Sequence, residues 1–527
     1  KVNLPALKKG GLLIVNSGAF SSANLEKAGY DKDPLTDGSL EGYRLLVIDI
    51  TKLTLDAVKP FKLGAKDAGR CKNMWTLGLM YWLYGRDRQP SIDFLRAKFA
   101  KRPELAEANI AALNAGHIYG ETADLPTDIT PARVPRAELA PGKYRTIDGN
   151  QALAWGFAAA AQLSKIPFFY GSYPITPAST LLHHLAKLKH FGVTTFQAED
   201  EIAAIASAIG ASFGGALGIT GTSGPGVALK GEAIGLAIMT ELPLVIVDVQ
   251  RGGPSTGLPT KTEQSDLFQA VWGRNGDAPL PVIAPATPGE CFDFAILATR
   301  IAIKYMTPVI LLTDGFIANS AEPWRIPDAS KLEPIEVKYH TDPEGFSPFK
   351  RDPETLARVW AKPGTPGLEH RIGGIEKDSN SGHISYDPAN HHKMTLTRAQ
   401  KVQNVRQILP PATLEQGESQ GDVLVIGWGS TYGAISQAVE QLRKRGRRVS
   451  HLHLRHIWPL PAGLKELCGR FDQVVVPELN NGQLARLLRA ELLVDAQSFP
   501  KIAGQPFKIR EIVEEIENRL AQKEVSR

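Results

Sequence analysis

The chain contains 527 residues, 43% of them hydrophobic, and carries a formal net charge of +5. This length accommodates about three or four domains. No apolar run is long enough for a transmembrane helix, and the interspersed charges give no reason to expect nucleic-acid binding. The three cysteines, Cys71, Cys291 and Cys468, lie far apart. This spacing excludes a disulfide framework, a self-contained iron–sulfur cluster and a structural zinc site. Because the sequence shows no signal peptide, the expected location is the cytoplasm.

The first region is predicted to be an α/β domain that is incomplete at its N-terminus. Strands are predicted at residues 11–16 and 43–50, and a helix rich in aromatic residues and methionine at residues 71–83. Such a helix is more often a packing surface than a cofactor site. Because the chain begins at Lys1 rather than Met and reaches its first strand at once, we expect an N-terminal portion to be missing. Residues 123–144 are rich in proline and short polar residues, which predicts a linker.

In the second region, short apolar segments alternate with helices of small residues, a pattern that predicts a doubly wound parallel sheet. The predicted strands are residues 166–171, 193–197, 216–220, 244–249, 282–284 and 308–312. Ligands of such sheets bind at the carboxyl ends of the strands. We therefore expect the functional residues to lie where these strands end.

The stretch Tyr-Pro-Ile-Thr-Pro at residues 173–177 separates the first of these strands from a helix predicted at residues 178–186. Thr176 is predicted to cap that helix, with Pro177 as its first residue. The unpaired N–H groups and positive dipole end of the helix would then receive a carboxylate or a phosphate.

The stretch Gln-Ala-Glu-Asp at residues 197–200 follows the next strand and precedes a helix predicted at residues 202–210. Glu199 is therefore predicted to place a carboxylate at the ligand-binding edge of the sheet. Taken alone, this segment favours another interpretation, in which Glu199, Asp200 and Glu201 are acids that complement the dipole of a helix start.

Residues 331–415 are predicted to form an irregular linker. Apart from the adjacent His391 and His392, its histidines lack the spacing of metal ligands, so a metal site is not expected. Residues 416–527 are predicted to form a last α/β domain, which starts with a strand and a glycine turn at residues 423–433. The spacing Gly-x-Gly-x-x-x-Gly and the absence of an acid after the following strand argue against dinucleotide binding.

Four motifs occur in an order that resembles the α subunits of 2-oxoacid:ferredoxin oxidoreductases, most closely the 2-oxoglutarate type. They are the two stretches above, Thr-Ser-Gly-Pro-Gly at residues 222–226 and Arg-Gly-Gly-Pro-Ser-Thr-Gly at residues 251–257. The resemblance covers almost the whole chain and implies an α/β fold with several doubly wound parallel-sheet domains. The implied parts are a γ-like domain at residues 1–122, the linker at 123–144, a pyrimidine-type thiamine diphosphate domain at 145–330, the irregular linker at 331–415 and a transketolase C-terminal-like domain at 416–527.

The resemblance also implies roles for the residues of these motifs. In thiamine diphosphate enzymes a glutamate hydrogen-bonds the aminopyrimidine ring and activates the cofactor, and Glu199 matches that catalytic glutamate. Within the same family pattern, the cofactor-binding residues are Tyr173, Pro174, Ile175 and Glu199.

Thr176 and Arg251 match the family positions that bind the carboxylate of the 2-oxoacid substrate. An arginine can form a bidentate pair with such a carboxylate. The alternatives are that Thr176 is a plain helix cap and Arg251 a turn residue in a glycine-rich loop.

The sequence lacks two parts that this chemistry needs: a Gly-Asp-Gly anchor for the diphosphate and magnesium, and the cysteines for an electron-transferring cluster. The resemblance implies that a β subunit binds the diphosphate and magnesium and carries the iron–sulfur cluster, with the active site at the α/β interface and thiamine diphosphate shared between the chains. The expected assembly is an (αβ)2 heterotetramer that passes electrons to ferredoxin. Coenzyme A is the expected co-substrate, bound near the γ-like domain.

The expected reaction is the oxidative decarboxylation of 2-oxoglutarate to succinyl-CoA, with electrons passed to ferredoxin. Pyruvate or a branched-chain 2-oxoacid is the alternative substrate. A non-catalytic scaffold subunit is the alternative from a different functional class.

Overall fold

The fold, in a computed structural model that describes residues 1, 3–127, 129–135 and 137–526, divides into the units Lys1–Pro141 and Gly142–Arg527. Positions 128 and 136 of the predicted linker lie outside the described residues, and the described residues between 123 and 143 contain no helix or strand. The predicted division of the chain into five parts stays a prediction. Across the described residues, no helix combines the length and the apolarity needed to cross a bilayer.

The first unit contains a two-stranded parallel sheet, in which Leu12 is paired with Arg44, and helices that pack around it. The strands are β1 (Leu12–Asn16) and β2 (Arg44–Ile48), and the α-helices are α1 (Ser22–Lys27), α2 (Ile50–Val58), α3 (Ala65–Arg70), α4 (Lys72–Leu83), α5 (Gln89–Lys98) and α6 (Pro103–Thr122).

Helix α4 is the predicted aromatic and methionine-rich helix, and it packs closely against α6. Trp75 and Leu79 on α4 are buried in the core of the unit. The two backbones approach so closely at Gly116 that a Cβ atom there would lie 1.8 Å from the carbonyl oxygen of Trp75. This helix therefore has the packing role that its composition favours.

The second unit contains a seven-stranded sheet, a five-stranded sheet and an antiparallel pair. Its strands are β3 (Tyr144–Asp148), β4 (Phe168–Ser172), β5 (Val193–Gln197), β6 (Leu217–Thr222), β7 (Leu244–Gln250), β8 (Val282–Ile283), β9 (Pro308–Asp314), β10 (Ala321–Arg325), β11 (Leu414–Gln416), β12 (Gly421–Trp428), β13 (Val449–Leu454), β14 (His456–Trp458), β15 (Phe471–Glu478) and β16 (Ala496–Pro500). Its helices are α7 (Gly149–Ser164), α8 (Ser179–Leu185), α9 (Glu201–Phe213), α10 (Gly224–Leu229), α11 (Gly231–Thr240), α12 (Leu267–Val271), α13 (Glu290–Tyr305), α14 (Gly315–Asn319), α15 (Pro388–Asn404), α16 (Tyr432–Lys444), α17 (Leu464–Cys468), α18 (Gln483–Leu492) and α19 (Ile509–Ser526).

The seven-stranded sheet has the order β14-β8-β9-β7-β6-β4-β5. All its neighbouring strands are parallel except β14, which is antiparallel to β8. Helices α7 and α13 share one core with one face of the sheet. The sheet's other face shares a core with apolar residues of β12, β13 and β15. The α/β fold with parallel sheets is therefore confirmed.

Residues 331–415 are more ordered than the predicted irregular linker, since they contain α15. They are attached to the sheet domain by a buried ion network centred on Glu241, the residue that follows α11. The carboxylate of Glu241 accepts hydrogen bonds from both terminal nitrogens of Arg351 and from the ammonium of Lys401. Lys401 also donates to the carbonyl oxygen of Met306, at 2.8 Å.

Candidate active site

The predicted motifs meet at one edge of the seven-stranded sheet, formed by the carboxyl ends of β7, β6, β4 and β5. These strands are neighbours in that order and run parallel. The Tyr-Pro-Ile-Thr-Pro loop follows β4, Glu199 follows β5, and Arg251 follows β7. The Thr-Ser-Gly-Pro-Gly motif begins with Thr222, the last residue of β6. Motifs far apart in sequence thus become neighbours, because parallel strands bring their carboxyl ends to one side.

The prediction that Thr176 caps helix α8 is wrong. The helix begins at Ser179 rather than Pro177, and Ala178 is its N-cap residue. The hydroxyl of Ser179 accepts a hydrogen bond from the backbone N–H of Ile175 at 2.8 Å. It also lies 2.9 Å from the carbonyl oxygen of Ile175. These bonds hold residues 175–179 in a turn ahead of the helix, so the Thr176 side chain remains exposed instead of capping.

Arg251 lies against the same loop. Its Nη1 donates a hydrogen bond to the carbonyl oxygen of Thr176 at 2.6 Å. The side chain is largely buried, and the Nε donor has no partner within the described chain. The two residues predicted to bind the substrate carboxylate are therefore in contact. One nitrogen of the guanidinium is used to hold the loop.

Tyr173 points away from the open edge, into the protein. Its hydroxyl lies 2.8 Å from Oγ1 of Thr222, and burial raises the pKa of this phenol. A Cβ atom at Gly226 would lie 2.2 Å from the Tyr173 hydroxyl and 2.0 Å from Oγ1 of Thr222, which explains why glycine is needed at this position. Tyr173 therefore joins two loops, while Pro174 is exposed at the edge and Ile175 is half-buried.

Glu199 is exposed, and it lies one residue before the N-cap of α9. Asp200 is the cap, and its Oδ1 accepts a hydrogen bond from the N–H of Ala203 at 2.8 Å. Glu201 is the first residue of the helix. Within the described part of the chain, no group hydrogen-bonds or ion-pairs with the Glu199 carboxylate. The dipole interpretation therefore suits Asp200 and Glu201, and Glu199 is available to a ligand.

Two acids near this edge, the buried Asp248 and the half-buried Asp266, were not predicted. Asp248 is fully buried within β7, beside Asp266, and burial raises its pKa well above the usual range, an effect that Asp266 increases. Burial also raises the pKa of Asp266 to about 7, with Glu263 adding to the rise and Arg251 opposing it. Both effects favour the neutral form of these carboxyl groups. The sequence feature that could have revealed this pair is Asp248, an aspartate inside a mostly apolar strand.

Comparison with known proteins identifies the family. Residues 160–386 match the thiamine diphosphate-binding domain of pyruvate flavodoxin/ferredoxin oxidoreductases, residues 1–119 match pyruvate ferredoxin/flavodoxin oxidoreductase, and residues 421–512 match core domain II of pyruvate:ferredoxin oxidoreductase. The chain is 53% identical to the 2-oxoglutarate oxidoreductase subunit KorA of Mycobacterium tuberculosis, over 97% of this chain and 78% of that protein. The chain belongs to the 2-oxoacid:ferredoxin oxidoreductase family.

Two further relatives of this oxidoreductase chain agree with that assignment. It is 31% identical to the α subunit of 2-oxoacid:ferredoxin oxidoreductase 1 of Aeropyrum pernix, over 89% of this chain and 74% of that protein. The structure of 2-oxoglutarate:ferredoxin oxidoreductase from Magnetococcus marinus, solved with 2-oxoglutarate, coenzyme A and succinyl-CoA bound, matches with a TM-score of 0.86 and 32% identity. That match covers 98% of this chain and 86% of the other.

The exposed carboxylate of Glu199 is the type of group that binds the aminopyrimidine half of thiamine diphosphate. An aminopyrimidine needs one carboxylate and an apolar wall, and Glu199 offers an unpaired exposed carboxylate. The exposed apolar side chains of Phe196 and Ile202 lie on either side of Glu199 in the sequence. Among the described residues, no three His, Cys, Asp or Glu side chains converge as a metal site.

Proposed function

We propose that this chain is the α-type subunit of a 2-oxoglutarate:ferredoxin oxidoreductase. The enzyme would convert 2-oxoglutarate and coenzyme A to succinyl-CoA and carbon dioxide, with electrons passing to ferredoxin. The observation that carries the proposal is the 53% identity over 97% of the chain to a 2-oxoglutarate oxidoreductase subunit. The unpaired Glu199 carboxylate at the sheet edge supports it.

Thiamine diphosphate, when bound, supplies the carbanion chemistry of the decarboxylation. In this proposal Glu199 is the catalytic residue, and its carboxylate holds the aminopyrimidine ring by a hydrogen bond. The exposed Pro174 and the half-buried Ile175 provide the surface next to the ring. The buried Tyr173 holds this loop in place from inside the protein. These roles are supported because the three residues lie at the same edge of the sheet as Thr176 and Glu199.

Thr176 and Arg251 would bind the substrate carboxylate. Nη1 of Arg251 already donates to the carbonyl oxygen of Thr176. Nε and Nη2 have no hydrogen-bond partner in the described part of the chain, so this side of the guanidinium is available for a bidentate pair with the substrate carboxylate. A guanidinium already held by the Tyr-Pro-Ile-Thr-Pro loop loses less side-chain entropy when it binds a carboxylate.

The remaining components are proposed to come from a β subunit that carries the diphosphate and magnesium site and an iron–sulfur cluster. Supporting this, Cys71, Cys291 and Cys468 are all buried and free, and burial raises the pKa of each thiol, which disfavours the thiolate form that binds metals. We further propose an (αβ)2 assembly in the cytoplasm, with ferredoxin as electron acceptor and the γ-like domain near the coenzyme A site.

The test is the substitution Glu199→Gln in the complex of the full chain with its partner subunit. Glutamine keeps the size of the side chain but cannot carry the charge that favours a protonated ring nitrogen. We expect the rate of 2-oxoglutarate-dependent and coenzyme A-dependent ferredoxin reduction to fall by roughly 10²–10⁴-fold. The matched control is Asp200→Asn, which changes the neighbouring acid and retains the helix cap because asparagine caps as well as aspartate.

A wild-type rate in Glu199→Gln would reject the catalytic role and favour the scaffold alternative. The substrate is tested separately by measuring kcat/KM for 2-oxoglutarate, pyruvate and a branched-chain 2-oxoacid with the wild-type complex. A preference for pyruvate or the branched-chain acid would overturn the proposed substrate and leave the role of Glu199 intact.

A further inference from the structure

Lys230, between α10 and α11, is a buried lysine behind the candidate active site. The residue has 0% exposure. Its Nζ donates a hydrogen bond to the backbone carbonyl oxygen of Glu201 at 2.7 Å and lies 4.7 Å from the centre of the Tyr173 ring. Within the described residues, no carboxylate oxygen lies at ion-pair distance from this ammonium. The ammonium therefore contacts a carbonyl dipole and a ring face instead of a counter-ion.

This environment is expected to lower the stability of the fold. Burying an ammonium without a paired carboxylate carries a large desolvation penalty. Burial lowers the pKa of Lys230 to about 8, while the charges of Glu201 and of Asp200, the N-cap residue of α9, act in the opposite direction. Tyr173 presents only its ring to the ammonium, and Arg251 acts on the Tyr173 phenol from further along the same edge. A methionine of similar length would fill the same space without the penalty.

The contacts of Lys230 converge on the backbone that carries Glu199. On one side of Glu199, the N–H of Ala198 donates to the carbonyl oxygen of Ser172 at 2.7 Å. On its other side, Asp200 caps α9, and Lys230 holds the carbonyl oxygen of Glu201. The same ammonium packs on Tyr173, whose hydroxyl contacts Thr222. One buried charge thus links the loops that follow β4 and β5.

We propose that Lys230 is a positioning residue that fixes Glu199 relative to the Tyr-Pro-Ile-Thr-Pro loop, at a cost in folding stability. The role assigned to Glu199 rests on the proposed function. The effect of Lys230 on folding stability does not, so the two parts can fail separately.

The test is Lys230→Met in the full chain and in its complex with the partner subunit. We expect the midpoint of thermal unfolding, Tm, of the chain at pH 7 to equal or exceed that of the wild type. Turnover of the complex should fall by roughly ten- to a hundredfold, because a displacement of about 1 Å at an active site can cost about 10²-fold in rate. The matched control is Lys401→Met. This second buried lysine is paired with Glu241, so its loss should lower Tm.

The pH dependence of Tm gives a readout that does not depend on activity. The folded-state pKa of Lys230 lies below the unfolded value near 10.5. The unfolded chain therefore binds more protons between about pH 8 and pH 10.5, and this lysine adds stability as the pH rises through that window. The advantage of Lys230→Met over the wild type should then be largest at pH 7 and should shrink above about pH 8.

A fall in Tm comparable to that of Lys401→Met would overturn the proposal, as would unchanged turnover in a stable variant. If Lys230→Met does not fold, a stability cost at this site is ruled out, which also overturns the proposal. If Lys230→Met loses turnover but Glu199→Gln does not, Lys230 acts at this edge without Glu199, and the positioning role is rejected. Inactivity of the wild-type complex toward 2-oxoglutarate would overturn the proposed function alone, leaving the Tm comparison to decide the stability cost of Lys230.

Discussion

Replacing Glu241 by glutamine is expected to destabilise the second unit strongly, because it leaves the buried Lys401 and the partly buried Arg351 without their counter-ion. Glu241 is 1% exposed and ion-pairs with both Arg351 and Lys401. Burial acts to raise its pKa, but the charges of Lys401 and Arg351 outweigh burial and lower the pKa to about 2. The carboxylate therefore stays ionised, and the network depends on its charge.

The size of the expected loss of folding stability follows from the cations that the substitution leaves unpaired. Removing one partner of a buried pair costs about 3–5 kcal/mol. The entropy of unfolding is about 2.1 cal/mol/K per residue, which gives roughly 0.8 kcal/mol/K for the second unit, Gly142–Arg527. Tm should therefore fall by roughly 4–6 °C if the unit unfolds cooperatively.

Differential scanning calorimetry of the full chain measures this change. The matched control is Glu232→Gln, which neutralises an exposed acid on the helix that ends before Glu241 and should leave Tm nearly unchanged. The double variant Glu241→Gln/Lys401→Met should recover part of the loss, because it removes one of the two unpaired charges. If Tm of Glu241→Gln stayed within about 1 °C of the wild type, the reasoning about this network would be refuted.

Two further predictions concern the substrate loop and a pair of buried histidines. Arg251→Lys keeps the charge but loses the planar pairing with a carboxylate. It should raise KM for 2-oxoglutarate by about one to two decades in steady-state kinetics, whereas an unchanged KM would assign Arg251 to the loop alone. Burial lowers the pKa of His451 to about 3 and that of His453 well below its usual range, and Arg455 adds to both effects. Both folded-state values lie below the unfolded value of about 6.5. The histidines therefore stabilise the fold above about pH 6.5, and stability is lost as the pH falls below it. Urea titrations should show a loss of about 3 kcal/mol by pH 5.5 that is absent in His451→Phe/His453→Phe. If the double variant lost as much stability in acid as the wild type, the two histidines would be excluded as the cause of the loss.

The strands of the seven-stranded sheet that carry the site could be predicted from the sequence. Each is a short apolar segment between small-residue helices, and the predicted bounds lie within two residues of those observed. The position of Glu199 at the sheet edge followed from the same pattern. The local pattern of hydrophobic residues sets both the strands and the position of Glu199, so no knowledge of contacts distant in sequence was needed.

Features that depend on contacts distant in sequence could not be predicted. The start of α8 was misplaced because the hydrogen bonds of the Ser179 hydroxyl compete with capping by Thr176. The inward orientation of Tyr173 depends on Thr222, a residue of another strand. The burial of Lys230 and Glu241 is likewise set by packing between helices and by charges far along the chain. A sequence pattern shows the residue type at such positions but does not reveal its partner.

Strand β14 makes the C-terminal region inseparable from the domain that carries the candidate site. Its residues, His456–Trp458, complete one edge of the seven-stranded sheet by pairing with β8. A fragment that stopped near residue 415 would leave the backbone N–H and carbonyl groups of β8 open to strand addition from other molecules. Such a fragment is expected to aggregate. Crystallography, binding assays and directed-evolution libraries aimed at the sheet edge that carries Glu199 therefore need the chain to continue at least through residue 458.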